Sequence, residues 1–363
     1  MESIWDIANP HLRDLAVYQP GKPIEETARE LGAEPGEIIK LASNENPLGP
    51  SPKAIAAMHE AIDSSQLYPD GGCSYLRAAL AQKHKIGIAN IILGNGSNEI
   101  IELLGHAFLK PGDAILTSEH AFVAYKIVAR IFGAQTIEAP SCNYGHDPDA
   151  LLDAITDRTE LIFIANPNNP TGTLLSGDAV ERFMRRVPPH LIVIFDEAYY
   201  DFVDHPPDII RYIRKGKNVV ALRTFSKIHG LAGLRVGYGM ARPELIQVLQ
   251  KTRQPFNVNG IAQAGALASL GDDEHQQETK RTVDKGRAFL ESEFTAMKLQ
   301  FIPSTANFIL VKVGDGAAIF RAMLREKVIV RAMSGYALPQ WVRISIGTME
   351  QNRKCVDALR RVL

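Results

Sequence analysis

Thr224-Phe225-Ser226-Lys227-Ile228-His229-Gly230-Leu231-Ala232-Gly233-Leu234-Arg235-Val236-Gly237 is the stretch from which the rest of this 363-residue chain is best read. A short run over residues 218–222 leads straight into it and reads as a strand. The same arrangement recurs upstream. The apolar run 191–195 ends at Asp196, the run 160–165 ends at Asn166-Pro167-Asn168-Asn169-Pro170-Thr171-Gly172, and 91–93 runs into Gly94-Asn95-Gly96-Ser97-Asn98. Residues 114–117 read as a further strand. Helices are expected over 52–61, 75–84, 99–108, 124–132 and 176–186. Short, fully apolar strands alternating with helices indicate an α/β domain whose mostly parallel sheet is covered on both faces. Ligands in such sheets sit beyond the carboxyl ends of the strands. Gly96, Asn169, Asp196 and Thr224 each fall just past such an end.

Taken singly, these residues say little. A Ser-Lys pair is usually a surface pair, an Asp after a strand is often a helix cap, and Asn-Pro-Thr-Gly is a turn signal. In this order they offer an amine, an acid, an amide, two hydroxyls and a guanidinium, which is the set a pyridoxal 5'-phosphate (PLP) site needs. That cofactor is an electron sink whose aldehyde is held as an imine by a lysine and whose ring nitrogen needs an acidic partner. Asp196 in a low-dielectric pocket would keep the ring nitrogen protonated through charge pairing. Burial or a neighbouring cation would lower the Lys227 pKa from its ordinary ~10.4 and free the amine. Thr224, Ser226 and Arg235 suit a phosphate, the last through a bidentate fork.

Composition narrows the function classes. The formal net charge is −1, and 22% of residues are charged with no block of one sign. This argues against a nucleic-acid binder. The three cysteines, Cys73, Cys142 and Cys355, are scattered and odd in number. They suggest no metal site and fit a reducing compartment, so a cytoplasmic location is expected. The acidic start has no apolar core of a signal peptide, and no apolar run is long enough to cross a membrane. At this length two domains are expected. A proline-rich arm over 1–50, with one helix near 24–31, should lie across the body or a partner subunit. A large domain follows over 51–255. A smaller α+β domain over 256–363 has a long helical region near 261–297 and strands at 307–311 and 341–346.

Further groups fall into place around the lysine. Ser97 opens a helix after two glycines, and free N–H groups there make an anion site. Tyr199, in Asp196-Glu197-Ala198-Tyr199, and Asn169 could both reach the cofactor's phenolic oxygen. Phe122, after a strand, could stack on the pyridine ring, with core packing as the competing reading. Arg343, on the apolar strand Trp341-Val342-Arg343-Ile344-Ser345-Ile346, needs an anionic partner, either a substrate or an internal acid. Arg331 is a second group of this kind.

The chain resembles the fold-type I PLP-dependent aminotransferases, and within them the histidinol-phosphate aminotransferase family, over nearly its whole length. The resemblance is carried by Leu41-Ala42-Ser43-Asn44-Glu45-Asn46-Pro47, Tyr68-Pro69-Asp70, residues 165–172, the Thr224–Gly237 stretch and residues 338–347. It implies that Lys227 binds the cofactor aldehyde and moves the Cα proton, that Asp196 pairs with the ring nitrogen, and that Asn169 and Tyr199 bond the phenolic oxygen. Ser97, Asn98, Thr224, Ser226 and Arg235 would hold the phosphate, and Phe122 would stack. Tyr68 would reach the cofactor phosphate of the neighbouring subunit, which implies a homodimer with shared sites. Arg343 would bind the carboxylate of glutamate and the phosphate of histidinol phosphate in turn, with Tyr18, Asn46 and Arg331 as further substrate-side groups.

Two positions depart from the commonest family pattern. Ile228-His229 follows the lysine where Ala-Phe is more usual, and Ser334-Gly335-Tyr336 precedes Leu338-Pro339. Both resemble a subgroup that also accepts aromatic amino acids. The expected reaction is transamination between L-histidinol phosphate and 2-oxoglutarate, in histidine biosynthesis. The alternatives are an aromatic amino acid aminotransferase and a threonine-phosphate decarboxylase. A non-enzymatic PLP-binding regulator would be expected to carry a helix-turn-helix domain ahead of its PLP domain, where the 50-residue proline-rich arm leaves no room for one.

Overall fold

The computed structural model describes residues 3–18 and 21–363. Seven strands form the central sheet, in the order Ile91–Gly94, Gly237–Met240, Val219–Thr224, Ile192–Asp196, Thr159–Ala165, Ala114–Ser118, Gln135–Ala139. All pairings are parallel except those of Gly237–Met240, which runs antiparallel to both neighbours. The central strands are buried along their full length because helices cover both faces. The expected strands and helices of this domain are present, with ends shifted by a few residues.

Sequence reading did not find two strands of this sheet, the edge strand Gln135–Ala139 and Gly237–Met240. The Gly-Tyr-Gly-Met composition of the second lacks the β-branched run of the central strands. The glycine is nevertheless required. A methyl at Gly237 would fall on the Ser97 N–H and within 2.8 Å of the Gly96 carbonyl carbon. The strand can therefore lie against the start of helix Ser97–Phe108 only without a side chain there.

The small domain holds a four-stranded antiparallel sheet in the order Arg331–Ala332, Trp341–Ser345, Phe308–Lys312, Phe301–Ile302. Its own core gathers Val283, Leu290, Phe294, Phe308, Ile344 and Leu359. The expected long helical region is two helices, Gly260–Leu270 and Asp273–Ala296. The first packs its Ala262 and Ala266 into the large-domain core beside Ala54 and Leu76. Composition thus changes at Pro255, one helix before the packing does.

The arm helix Ile24–Leu31 forms where expected. The arm then pairs Ile39–Lys40 in parallel with Val328–Ile329 of the small domain. From there residues 41–46 run between the two domains, and this placement brings them to the site. Among the described residues no helix is long and apolar enough to cross a membrane, and no cluster of His, Cys, Asp or Glu could hold a metal ion.

Candidate active site

A cavity of about 580 Å³ opens at the carboxyl ends of the central strands, between the sheet and the small domain. Lys227, Asp196, Asn169, Tyr199, Thr224, Ser226, Arg235, Ser97, Asn98, Phe122, Arg343, Arg331 and Tyr18 all line it. Residues that share no sequence neighbourhood meet there because, Tyr18 of the arm aside, each follows a strand of one sheet or lies on the facing small-domain sheet.

Lys227 lies three residues past strand Val219–Thr224, and its Nζ donates to the Ser43 carbonyl at 3.2 Å. Burial first, then the nearby Arg343 cation, pulls its pKa down to about 8, with Glu45 and Asp196 opposing. The amine is therefore much closer to its neutral, nucleophilic form than an ordinary lysine.

Asp196 ends its strand and is buried. Burial pushes its carboxyl pKa up, while hydrogen bonds from Tyr125 and the Ala198 N–H and the charge of Lys227 pull it back. The Tyr125 hydroxyl donates to Asp196 Oδ2 at 2.7 Å, and the tyrosine ring is stacked on Phe163 with centroids 4.5 Å apart. Sequence reading passed over Tyr125. A signal was present, because Tyr125 stands three residues after Phe122 at the start of one helix, where both can face the same side.

At the other end of the cavity, helix Ser97–Phe108 points its free N–H groups outward from the cap residue Gly96. Arg235 closes over this point. Its Nη1 donates to Ser226 Oγ at 3.4 Å, and its guanidinium lies so close to Gly96 that a methyl there would meet Nη2 at 2.5 Å. The Thr224 hydroxyl accepts from the Ser226 N–H at 3.0 Å and fixes the turn before the lysine. Helix N–H groups, three hydroxyls and a guanidinium around one point suit a phosphate dianion.

Arg343 is buried on strand Trp341–Ser345. Nη1 donates to Asn169 Oδ1 at 2.6 Å and Nη2 to the Ala42 carbonyl at 2.9 Å, while Nε has no hydrogen-bond partner. Among the described residues no acid pairs with it, so the internal ion pair weighed from sequence is not seen there. Arg331, from the adjacent strand, is paired in register with Arg343. Tyr199 is buried, its pKa pushed to about 12 by burial, and its hydroxyl accepts from Asn44 Nδ2 at 2.9 Å.

One expected substrate-side residue, Asn46, is not brought to this cavity, and Tyr68, expected at a neighbouring subunit's site, lies outside it. Asn46 donates to the Ile228 carbonyl and to Thr279, and accepts from the Leu48 N–H. It ties the arm to the body, and its neighbours Asn44 and Glu45 line the cavity instead. The first asparagine of Asn-Glu-Asn-Pro, not the second, faces the site. Tyr68 is 83% exposed and stacks on Phe256 at 4.7 Å, away from the cavity of its own chain.

A model of the family described as aminotransferase class I and II matches residues 36–359. The histidinol-phosphate aminotransferase of Akkermansia muciniphila is 50% identical over 362 residues, covering 99% of this chain and all of that one. The enzyme of the same name from Moorella thermoacetica is 47% identical over 350 residues, 95% of this chain and 90% of that one. This chain belongs to the histidinol-phosphate aminotransferase family. Family members are also its structural neighbours. The Sinorhizobium meliloti histidinol-phosphate aminotransferase, solved in complex with pyridoxal-5'-phosphate, superposes with a TM-score of 0.90 at 27% identity, over 98% of this chain and 97% of that one. In this member of the family Lys227, Asp196 and the residues around the helix N-terminus at Ser97 line one cavity.

Proposed function

We propose that the chain is a PLP-dependent aminotransferase that exchanges an amino group between L-histidinol phosphate and 2-oxoglutarate, giving imidazole-acetol phosphate and L-glutamate. The observation that carries this reading is Arg343, a buried guanidinium near the Lys227 amine with no acid paired to it among the described residues. One site has to accept a carboxylate and a phosphate in alternation, and the planar fork of arginine matches both.

The cofactor, bound with its phosphate at Ser97, Asn98, Thr224, Ser226 and Arg235, supplies the electron sink for breaking the Cα–H bond. The chain's own groups do the rest. Lys227, whose pKa is pulled down to about 8, would take the Cα proton and return it. Asp196, held by Tyr125, keeps the ring nitrogen charged. Asn169 presents its Oδ1 to Arg343, which leaves its Nδ2 to donate to the phenolic oxygen beside Tyr199. Phe122 would pack on the ring, and Tyr18 and Arg331, which also line the cavity, would border the substrate.

The chain would work as a homodimer in the cytoplasm. Tyr68, exposed and outside its own cavity, is available to a partner's phosphate. Tyr336 and Phe122 line the cavity and support a second reading, an aromatic amino acid aminotransferase.

The test is a half-reaction on the purified loaded protein, following loss of the lysine-bound cofactor's visible absorbance with L-histidinol phosphate, L-phenylalanine or L-threonine phosphate. Much faster conversion by histidinol phosphate is expected. Equal or faster conversion by phenylalanine would replace the substrate assignment and leave the residue roles standing.

A further inference from the structure

Three consecutive arm residues touch three groups of the site. The Ala42 carbonyl accepts from Arg343 Nη2, the Ser43 carbonyl accepts from Lys227 Nζ, and Asn44 Nδ2 donates to the Tyr199 hydroxyl. Asn44 is the most constrained of the three. It is buried, and its backbone is in the left-handed region at φ 54°. Asparagine tolerates that region better than most residues, yet it still needs surrounding contacts to hold it.

Those contacts also fix which way the Asn44 amide points. The Asn44 backbone N–H donates to Ser345 Oγ at 2.8 Å, and Ser345 Oγ lies 2.9 Å from Asn44 Oδ1. Asn44 Oδ1 is the one acceptor that the Ser345 hydroxyl meets among the described residues, so its single proton goes there. Oδ1 is therefore the acceptor and Nδ2 faces Tyr199; a flipped amide would leave the serine proton without an acceptor. Asn307 Nδ2 donates to the Asn44 carbonyl at 3.0 Å and holds the segment from the small-domain side.

We propose that Asn44 is a positioning residue that sets the direction of the Tyr199 hydroxyl proton. Tyr199 accepts from Asn44, so its own single proton must go elsewhere, and the open side is the cavity. There the proton meets the phenolic oxygen of the cofactor. Ser345 lies two residues along the same strand from Arg343, on the same face. The anion-binding arginine and the hydroxyl that tunes the cofactor are thus tied to one arm residue. The inference rests on the cofactor reading above.

A hydroxyl donated to the phenolic oxygen draws off its negative charge. This weakens its hold on the proton it shares with the Lys227 nitrogen, and so lowers the pH midpoint of the bound cofactor's absorbance change. The experiment is a spectrophotometric pH titration of the loaded protein, with Tyr199→Phe as the reference variant. Asn44→Gly removes the donor and accepts the left-handed backbone. Asn44→Asp, which also tolerates it, replaces the donor with an acceptor and covers the case in which the glycine variant does not fold.

Tyr199→Phe and both Asn44 variants are expected to raise the midpoint, by about one pH unit if one neutral hydrogen bond is lost. Asn44→Gly should add little in the Tyr199→Phe background. A midpoint unchanged by Asn44→Gly beside a clear Tyr199→Phe shift would overturn the role of Asn44 and leave the cofactor reading intact. An Asn44→Gly shift that persists undiminished without the Tyr199 hydroxyl would overturn it too. No shift in Tyr199→Phe would remove the Tyr199 assignment, and this inference with it.

Discussion

Replacing Arg343 with Gln should slow the chemical capture of PLP by the cofactor-free protein, even though Arg343 does not bind the cofactor in the proposed reading. The effect runs through Lys227. Its pKa is about 8, where the ordinary value is 10.5. At pH 7 about one molecule in ten then carries the neutral amine, against about one in three thousand for an ordinary lysine, a gain of about 300-fold. Burial is the largest cause and the Arg343 cation the second. Removing that cation leaves Glu45 and Asp196 less opposed, so the amine becomes more basic. For a partly desolvated neighbouring charge a rise of about half to one unit is reasonable, or about three- to tenfold less neutral amine at pH 7.

The assay is the rate at which PLP absorbance shifts to that of the lysine-bound form, measured from pH 6 to 10. The wild-type rate should climb with pH and level off above about pH 8, while the Arg343→Gln profile should level off later and meet it at high pH. A wild-type profile still climbing near pH 10, or one that Arg343→Gln leaves in place, would refute the argument that burial and Arg343 activate the lysine.

Three more perturbations test other parts of the structure. Lys227→Met should make the cofactor-free protein more stable at pH 7. The lysine's folded pKa lies below its unfolded one, so its penalty of about 3 kcal/mol is complete below pH 8 and gone above pH 10.5, partly offset by the bond to Ser43. Urea unfolding at pH 7 and 10 should show the advantage shrinking with pH, and a less stable variant at pH 7 would contradict the desolvation. Gly237→Ala should lower PLP affinity in equilibrium dialysis and cost about 1–3 kcal/mol, because its methyl meets backbone of Gly96, Ser97 and Arg223 with no flexible atom to yield. Arg223→Leu should cost about 3–5 kcal/mol in unfolding measurements. It strands buried Glu197, now 3.0 Å from Arg223 Nε, and removes a guanidinium held 3.4 Å over the Tyr200 ring. The double variant Arg223→Leu, Glu197→Leu should recover much of that loss.

The sheet and most of the site were legible because an α/β sheet announces itself twice. Its central strands are short and wholly apolar, and its functional residues sit just past their ends, so Asp196, Asn169 and Lys227 could be placed from runs of Val, Ile, Leu and Phe. Contacts made across the fold were harder. Tyr125 reads as one more aromatic on an amphipathic helix until Asp196 is set against it. Asn44 and Asn46 are chemically identical and two residues apart. Only the left-handed turn at Asn44 decides which of them faces the cavity and which ties the arm to Ile228 and Thr279. Strand Gly237–Met240 was hidden for a related reason, since its glycine answers to a neighbouring helix and not to the strand itself.

The bond between Asn44 and Ser345 spans 301 positions of the chain. A ribosome adding about 5–20 residues per second exposes the first of these about 15–60 s before the second. The central sheet, whose strands end at Met240, is fully synthesised in that interval, while Asn44, Ser43 and Ala42 still lack Ser345 and Arg343. The arm's contacts to Ser345 and Arg343 thus form only after the sheet, the lysine and the phosphate cradle have all been made. A chain cut before Trp341 would keep its lysine, its acid and its phosphate cradle, yet would lose the strand that ties down Ala42 and Asn44, leaving Asn307 and the Lys227–Ser43 bond to hold that part of the arm.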